Sequence, residues 1–284
     1  MMKNEIFEIK LSLGKTCSRF VINEGDGLSI IGENDGGKSQ ILSMIARREK
    51  GVTYRGNNKK LSNEQESLFS LEIGYYDGSL KDCTAQTVGE LVDKASIKFN
   101  LLASEIADLF DISEMEYGVK IKKASGFLAL TCSLLDKLCG DYKILLLDDA
   151  FGLDFAFKKK LTPFLKEVAK NFGLTYVIAT TDPFFASALT GYALLVETGM
   201  PVEYGKCDVL LKKPLHPYSK WFVASAKNKK DASVAFVRTA KDDKPSKKAC
   251  RFCMICPIAD DECKKRSPEF KEHAKGNYTA CHKI

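Results

Sequence analysis

Long apolar runs are missing from this 284-residue chain. No stretch approaches the ~18 to 20 consecutive apolar residues that span a bilayer, which excludes an integral membrane helix. The first residues, Met1-Met2-Lys3-Asn4-Glu5, carry no apolar signal-peptide stretch, so the expected compartment is the cytoplasm. Histidine is scarce: His216, His273 and His282 are the only three, so the first 215 residues hold no imidazole. No internal repeat is visible. No basic platform is interleaved with aromatics, which argues against nucleic acid as a partner. A wholly disordered chain is excluded as well, because 45% of the residues are hydrophobic and 28% charged, a globular balance.

Charge and cysteine are unevenly spread. Residues 207–284 hold 18 Lys/Arg against 9 Asp/Glu, whereas residues 1–206 hold 25 against 28, so the excess of +6 belongs to the tail. Such a tail suits an anionic surface or cofactor. Five of ten cysteines lie in the last 35 residues: Cys250, Cys253, Cys256, Cys263 and Cys281. A cytosolic chain rarely keeps structural disulfides, so this cluster points first to metal. The scattered Cys17, Cys83, Cys132, Cys139 and Cys207 read as small buried hydrophobes.

Residues 5–31 read as strands, ending in the short apolar strand Leu28-Ser29-Ile30-Ile31, and residues 39–48 read as a helix. Residues 51–70 look like a polar, turn-rich connection. Residues 87–117 read as helices, with Val88, Leu91, Val92 and Ala95 on one face. Ile144-Leu145-Leu146-Leu147 and Tyr176-Val177-Ile178-Ala179 are buried strands. Ala193–Val196 and Val202–Tyr204 form a closing hairpin. Strands alternating with helices predict an α/β fold. Residues 227–249 read as a linker.

Gly32-Glu33-Asn34-Asp35-Gly36-Gly37-Lys38-Ser39 has the G-x-x-x-x-G-K-[ST] spacing between an apolar strand and a helix. Glycines let backbone N–H groups curl around phosphate oxygens, and the helix start adds its positive end. Asn34, Asp35, Gly36, Gly37, Lys38, Ser39 and Gln40 are the expected ATP-phosphate contacts, with Lys38 on the β- and γ-phosphates and the Ser39 hydroxyl on Mg²⁺. The bland alternative is a Gly-rich turn carrying a surface lysine. Asp148, at the end of the apolar strand from Ile144, is the expected second Mg²⁺ ligand. Asp149 then stands where a hydrolytic base is wanted, one methylene shorter than Glu.

At these residues the chain resembles ATP-binding subunits of ABC transporters, in particular the oligopeptide/dipeptide importer branch. Three features carry the likeness across nearly the whole chain: the phosphate loop followed by the Asp148 strand; Ala124-Ser125-Gly126-Phe127-Leu128, placed like the LSGGQ signature; and Leu215-His216-Pro217-Tyr218-Ser219 with the cysteines from Cys250 to Cys281. The resemblance implies an ABC-type P-loop NTPase domain over 1–206, with a helical subdomain at about 81–140. An extension and linker over 207–249 and a Cys-rich segment over 250–284 follow. It implies two nucleotide sites at a dimer interface, with Ser125 and Gly126 contributed in trans. It also implies a second ABC ATPase subunit, two transmembrane permeases, indirectly an extracellular peptide-binding protein, and a place on the cytoplasmic face of the cell membrane.

Departures from the family pattern are equally plain. Phe127 and Leu128 replace Gly and Gln, Tyr76 replaces the Q-loop glutamine, Asp149 the catalytic glutamate, and Thr181 the switch histidine. The expectation is Mg-ATP binding with impaired hydrolysis at this site, and turnover at the partner's. The C-terminal thiols suit Fe–S or zinc on their own spacing. The resemblance implies a [4Fe–4S] cluster on Cys250, Cys256, Cys263 and Cys281, with Cys253 either a further ligand or a free thiol. His273 and His282 read as surface residues. Two other functions compete with the importer subunit: an ATP-gated redox protein, and a non-catalytic regulatory module sensing nucleotide or iron.

Overall fold

In a computed structural model, the described residues are 5–13, 16–23, 25–47, 52–56, 59–148, 153–227 and 249–284. They fall into two compact units, residues 1–61 with 180–284, and residues 62–179.

The first unit carries an antiparallel sheet of β1 (Glu5–Leu13), β2 (Thr16–Asn23), β4 (Val52–Gly56) and β5 (Lys59–Lys60), in the order β2-β1-β4-β5. Its nucleotide-loop strand, β3 (Leu28–Ile31), is buried at every position. A run of apolar side chains suits a strand covered on both faces. β3 pairs in parallel with β9 (Tyr192–Glu197), which forms an antiparallel hairpin with β10 (Met200–Lys206). The turn at Thr198 and Gly199 takes positive φ at both residues, +46° and +76°, the twist that tight hairpins favour. Ser29 and Thr190, both buried, satisfy each other's hydroxyls at 2.7 Å.

After the hairpin come α8 (Cys207–Lys212) and α9 (Pro217–Ala226). His216 caps α9 by accepting the Tyr218 N–H on Nδ1, and Pro217 opens the helix with φ already set. The final segment adds α10 (Asp261–Lys265), β11 (Phe270–Ala274) and β12 (Asn277–Ala280). β12 pairs with β10, and the buried Thr279 donates to the Val202 carbonyl at 2.9 Å. The chain end thus extends the sheet. Phe252 and Phe270 are buried in it.

The second unit holds α2 (Asn63–Phe69), the parallel strands β6 (Ile73–Tyr76), β7 (Ile144–Asp148) and β8 (Thr175–Thr180), and helices α3 (Val88–Phe99), α4 (Ala103–Leu109), α5 (Gly126–Leu138) and α6 (Phe155–Phe172). In α3 the expected face is the buried one, with Val88, Leu91, Val92 and Ala95 all inside. Thr87 caps it by accepting the Glu90 N–H, and Asn100 ends it at φ +53°. Phe99, Phe110 and Phe164 pack edge to face behind this face. The short α7 (Pro183–Leu189) follows β8.

Residues 51–70 depart from the expected polar connection: they include β4, β5 and α2. β4 exists through its pairing with β1, a long-range partner that local polarity does not announce. Residues 228–248, where most of the linker was expected, lie outside the described residues. Cys132, Cys139 and Cys207 are buried as expected and Cys83 is half-buried; the side chain of Cys17 lies outside the described set.

Candidate nucleotide site

The phosphate loop leaves β3 at Gly32. A Cβ there would lie 2.3 Å from the Val196 carbonyl oxygen, so only glycine allows the loop to start against β9. Glu33, Asn34 and Asp35 are exposed. Asp35 takes φ +58°, and the Gly36 N–H closes a turn onto the Glu33 carbonyl at 3.1 Å. Gly37 sits at φ +84°, and its backbone passes so close to the hairpin turn that a Cβ would fall 2.6 Å from Gly199 Cα. The Gly199 N–H donates to the Gly36 carbonyl at 2.7 Å. The hairpin turn therefore braces the loop from outside it.

Helix α1 (Lys38–Arg47) begins directly after Gly37, and the Ile41 N–H makes a helical bond to the Gly37 carbonyl at 3.3 Å. The N–H groups of the first turn have no acceptor within the helix, and no acidic residue occupies that turn to offset their positive end. Lys38 is buried, and its ammonium donates to the Glu33 carbonyl across the loop. Gln40 is exposed and Ser39 half-buried. A glycine loop, a helix start and a lysine lie together here, the arrangement that phosphate-binding loops share.

Asp148, the second expected Mg²⁺ ligand, ends β7 in the second unit and is buried. The Tyr75 hydroxyl donates to its Oδ2 at 3.4 Å. Sequence reasoning singled out Tyr76; the residue that meets the carboxylate is its neighbour. Alternation along a strand sends Tyr75 and Tyr76 to opposite faces, and Tyr76 is fully buried. Asp149 lies outside the described residues. Asp182 accepts the Phe184 and Phe185 N–H groups and so caps α7, leaving Thr181 exposed at the end of β8.

Ser125 and Gly126 are exposed at the start of α5, with Gly126 at φ +58° and open space where a Cβ would point. Phe127 packs edge to face on Phe157 of α6 at 5.2 Å while staying 37% exposed. Asp154 caps α6 by accepting the Phe157 N–H.

The expected thiol set is drawn into one region, but not into a coordination group. Cys253 and Cys263 pack with Ala249, and Cys250 touches both that cluster and the aromatic one around Phe252. The Cys250 N–H donates to the Cys263 carbonyl at 2.8 Å, a backbone link. Among the described residues no three Cys, His, Asp or Glu form a group that could hold a metal ion. Burial pushes the Cys250 thiol up to about 12 and raises Cys253, Cys256 and Cys263. Neither the [4Fe–4S] nor the zinc expectation is supported by this arrangement, although neighbouring thiols raise one another at Cys250 and Cys256. Of the other expected surface residues, His282 has a largely buried ring whose Nε2 meets the Arg266 carbonyl at 2.9 Å.

A parallel sheet whose apolar strand feeds a glycine loop and a helix start defines a P-loop ATPase. The ABC transporter family matches residues 17–152, and the family described as "Oligopeptide/dipeptide transporter, C-terminal region" matches residues 202–263. The chain is thus an ABC-type ATPase domain joined to an oligopeptide/dipeptide transporter C-terminal region. It is similar to the putative oligopeptide transport ATP-binding protein YkfD of Bacillus subtilis, at 24% identity over 93% of this chain and 87% of that one. The dipeptide transport ATP-binding protein DppD of Caldanaerobacter subterraneus is 27% identical over 92% and 88%, and the oligopeptide transport ATP-binding protein OppD of Escherichia coli 24% over 93% and 86%. The fold is that of cbiO1 from Clostridium perfringens, described as part of the ABC transporter complex cbiONQ, with a TM-score of 0.56 at 17% identity over 74% of this chain and 92% of that one. Among the described residues no helix is long and apolar enough to cross a membrane.

Proposed function

We propose that this chain is the ATP-binding subunit of an oligopeptide/dipeptide ABC importer, and that its own site holds Mg-ATP while hydrolysing it slowly. The carrying observation is the contrast between a complete phosphate cradle from Gly32 to Ser39 and the residues at the water-handling positions. Those positions hold the buried Tyr76 and the exposed Thr181. Neither side chain has the proton-transfer chemistry of the family's histidine or the amide of its glutamine.

In this reading the cradle N–H groups and Lys38 hold the phosphates, and Ser39 and Asp148 hold Mg²⁺. Mg²⁺ neutralises charge on the phosphates. Asp149 is at most a weak base. The exposed Ser125 and Gly126 offer the start of α5 to a second, catalytically competent ABC ATPase subunit, whose nucleotide they cover. Nucleotide binding shifts an open–closed equilibrium of the pair, so this subunit contributes without turnover of its own. Two permeases receive that movement at the cytoplasmic face of the membrane, and an extracellular peptide-binding protein supplies the peptide. No step runs through the C-terminal cysteines.

The test is turnover of the complex co-purified from its native membrane. Lys38→Ala here is set against the equivalent phosphate-loop change in the partner ATPase. The expected outcome is that the partner change abolishes hydrolysis while Lys38→Ala leaves a substantial fraction. Equal loss from both changes refutes the asymmetric assignment. If no permease co-purifies, the importer role fails and a regulatory or redox-linked nucleotide-binding protein takes its place.

A further inference from the structure

The phosphate loop is held by two elements far from it in sequence. One is the hairpin turn, through Gly199. The other is α9: the Glu33 N–H donates to the Tyr218 hydroxyl at 3.2 Å, a bond spanning 185 positions of sequence. The Tyr218 oxygen also lies 3.6 Å from where a Cβ on Gly32 would stand, so it sits at the root of the loop. Tyr218 is buried, and burial drives its hydroxyl well above the usual range, so it stays neutral.

Its ring packs against three aromatic rings of the C-terminal part of the chain. Trp221 lies at 5.9 Å, Phe222 at 6.0 Å, and Phe252 meets it edge-on at 5.6 Å. Phe252 lies between Cys250 and Cys253 and is 5.6 Å from the His216 ring. His216 is itself fixed: its N–H donates to the Glu203 carboxylate at 2.8 Å, and its Nδ1 accepts the Tyr218 N–H. A continuous packed path thus runs from the cysteine-rich segment through Phe252 to Tyr218 and into the loop backbone.

We infer that Tyr218 is a positioning residue for the phosphate loop, through which the packing of the C-terminal segment sets the loop's hold on nucleotide. The inference rests on the ATP-binding reading of the loop for its ligand, though not for its geometry. Phosphate oxygens are gripped by several N–H groups at once, so binding is strongest when the loop is already in shape and pays little to be ordered. The Tyr218 hydroxyl fixes the loop at its second residue, Glu33, and the Gly199 N–H fixes it at the fifth, Gly36. Removing the hydroxyl leaves the Glu33 N–H without that acceptor and frees the loop's root.

The experiment uses the full chain and compares wild type, Tyr218→Phe, Phe252→Leu and Lys38→Ala. Mg-ATP binding is measured by calorimetry, amide hydrogen exchange over residues 32–39 by mass spectrometry, and unfolding by urea. Tyr218→Phe keeps the ring and its packing. The expected result is faster exchange confined to the loop and about three- to tenfold weaker Mg-ATP binding, the size of one hydrogen bond. Phe252→Leu is expected to act in the same direction without touching the hydroxyl. Unchanged loop exchange and unchanged affinity in Tyr218→Phe overturn the inference, as does a lowered urea midpoint with an unaltered loop, which marks a merely structural residue. If wild type and Lys38→Ala alike fail to bind Mg-ATP, the functional reading falls. The loop-exchange comparison then decides the positioning role alone.

Discussion

Replacing Gly37 by alanine should damage the loop far more than replacing Gly199, although both glycines have positive φ and face each other. At Gly199 a Cβ meets nothing within 4 Å, so the cost is the left-handed backbone alone, roughly 1–2 kcal/mol. At Gly37 the same backbone penalty applies at φ +84°, and the Cβ falls 2.6 Å from Gly199 Cα and 2.8 Å from its nitrogen. Both obstacles are backbone atoms in a tight hairpin turn and cannot swing aside. Relief requires the turn to back away, which breaks the 2.7 Å bond from the Gly199 N–H to the Gly36 carbonyl, about another 0.5–1.5 kcal/mol. The Gly37→Ala total is then roughly 1.5–3.5 kcal/mol, a factor of about 10 to 300. It divides between two readouts. If the loop keeps its shape, the cost appears as lost stability without ligand; if the loop relaxes away, it appears as weakened Mg-ATP binding. Urea unfolding with and without saturating Mg-ATP captures both parts. A Gly37→Ala cost near 1 kcal/mol in the ATP-bound protein, or one no larger than that of Gly199→Ala, refutes the argument from close approach.

The buried His216 is held down to about 4 by burial, against an ordinary 6.5, so its neutral form is what the fold accepts. Its contribution is complete above pH 6.5 and lost as pH falls toward 4, about 3 kcal/mol in all, and urea titrations of His216→Asn, which keeps the cap, should lack that slope. Glu203 runs the other way: burial raises its carboxyl, so stability is lost as pH rises above 4.5 through its raised value, and Glu203→Gln should flatten that limb. Tyr75→Phe should weaken Mg²⁺-dependent nucleotide binding a few-fold, by freeing Asp148 Oδ2 of one donor, and leave Mg²⁺-free binding unchanged in calorimetry. Anaerobic purification followed by iron, sulfide and zinc analysis tests the thiol expectation: stoichiometric iron and sulfide lost in Cys256→Ala establish the cluster, and substoichiometric metal removes it.

What could be read from the chain beforehand was what local pattern encodes. Leu28–Ile31 followed by the glycine loop and α1 is a contiguous unit, and its apolar run, turn glycines and helix follow each other without help from elsewhere. The buried face of α3 likewise follows from its own 3.6-residue period. The failures lie where a residue's role depends on a distant partner. β4 is made by β1, and β12 by β10; neither sequence carries a strong period of its own. Tyr218 stood out in sequence only as part of the motif from Leu215 to Ser219, because nothing near it announces a bond to Glu33.

The same division separates the two halves of the site's chemistry. Holding a triphosphate is a task for backbone: N–H groups, glycine conformations and a helix start, all within eight consecutive residues and braced by Gly199 and Tyr218. Activating water is a task for side chains delivered from several strands, such as Tyr76 at the end of β6 and Thr181 beyond β8. The loop's own turns are set by its glycines, through φ +84° at Gly37 and the close approach of backbone at Gly32. A chain of this kind can therefore shed hydrolysis while the glycine geometry of its loop stays constrained at Gly32 and Gly37, where a single added carbon meets backbone. Retained binding with lost turnover is the outcome that physical asymmetry favours, because the binding half tolerates so little change and the hydrolytic half tolerates much.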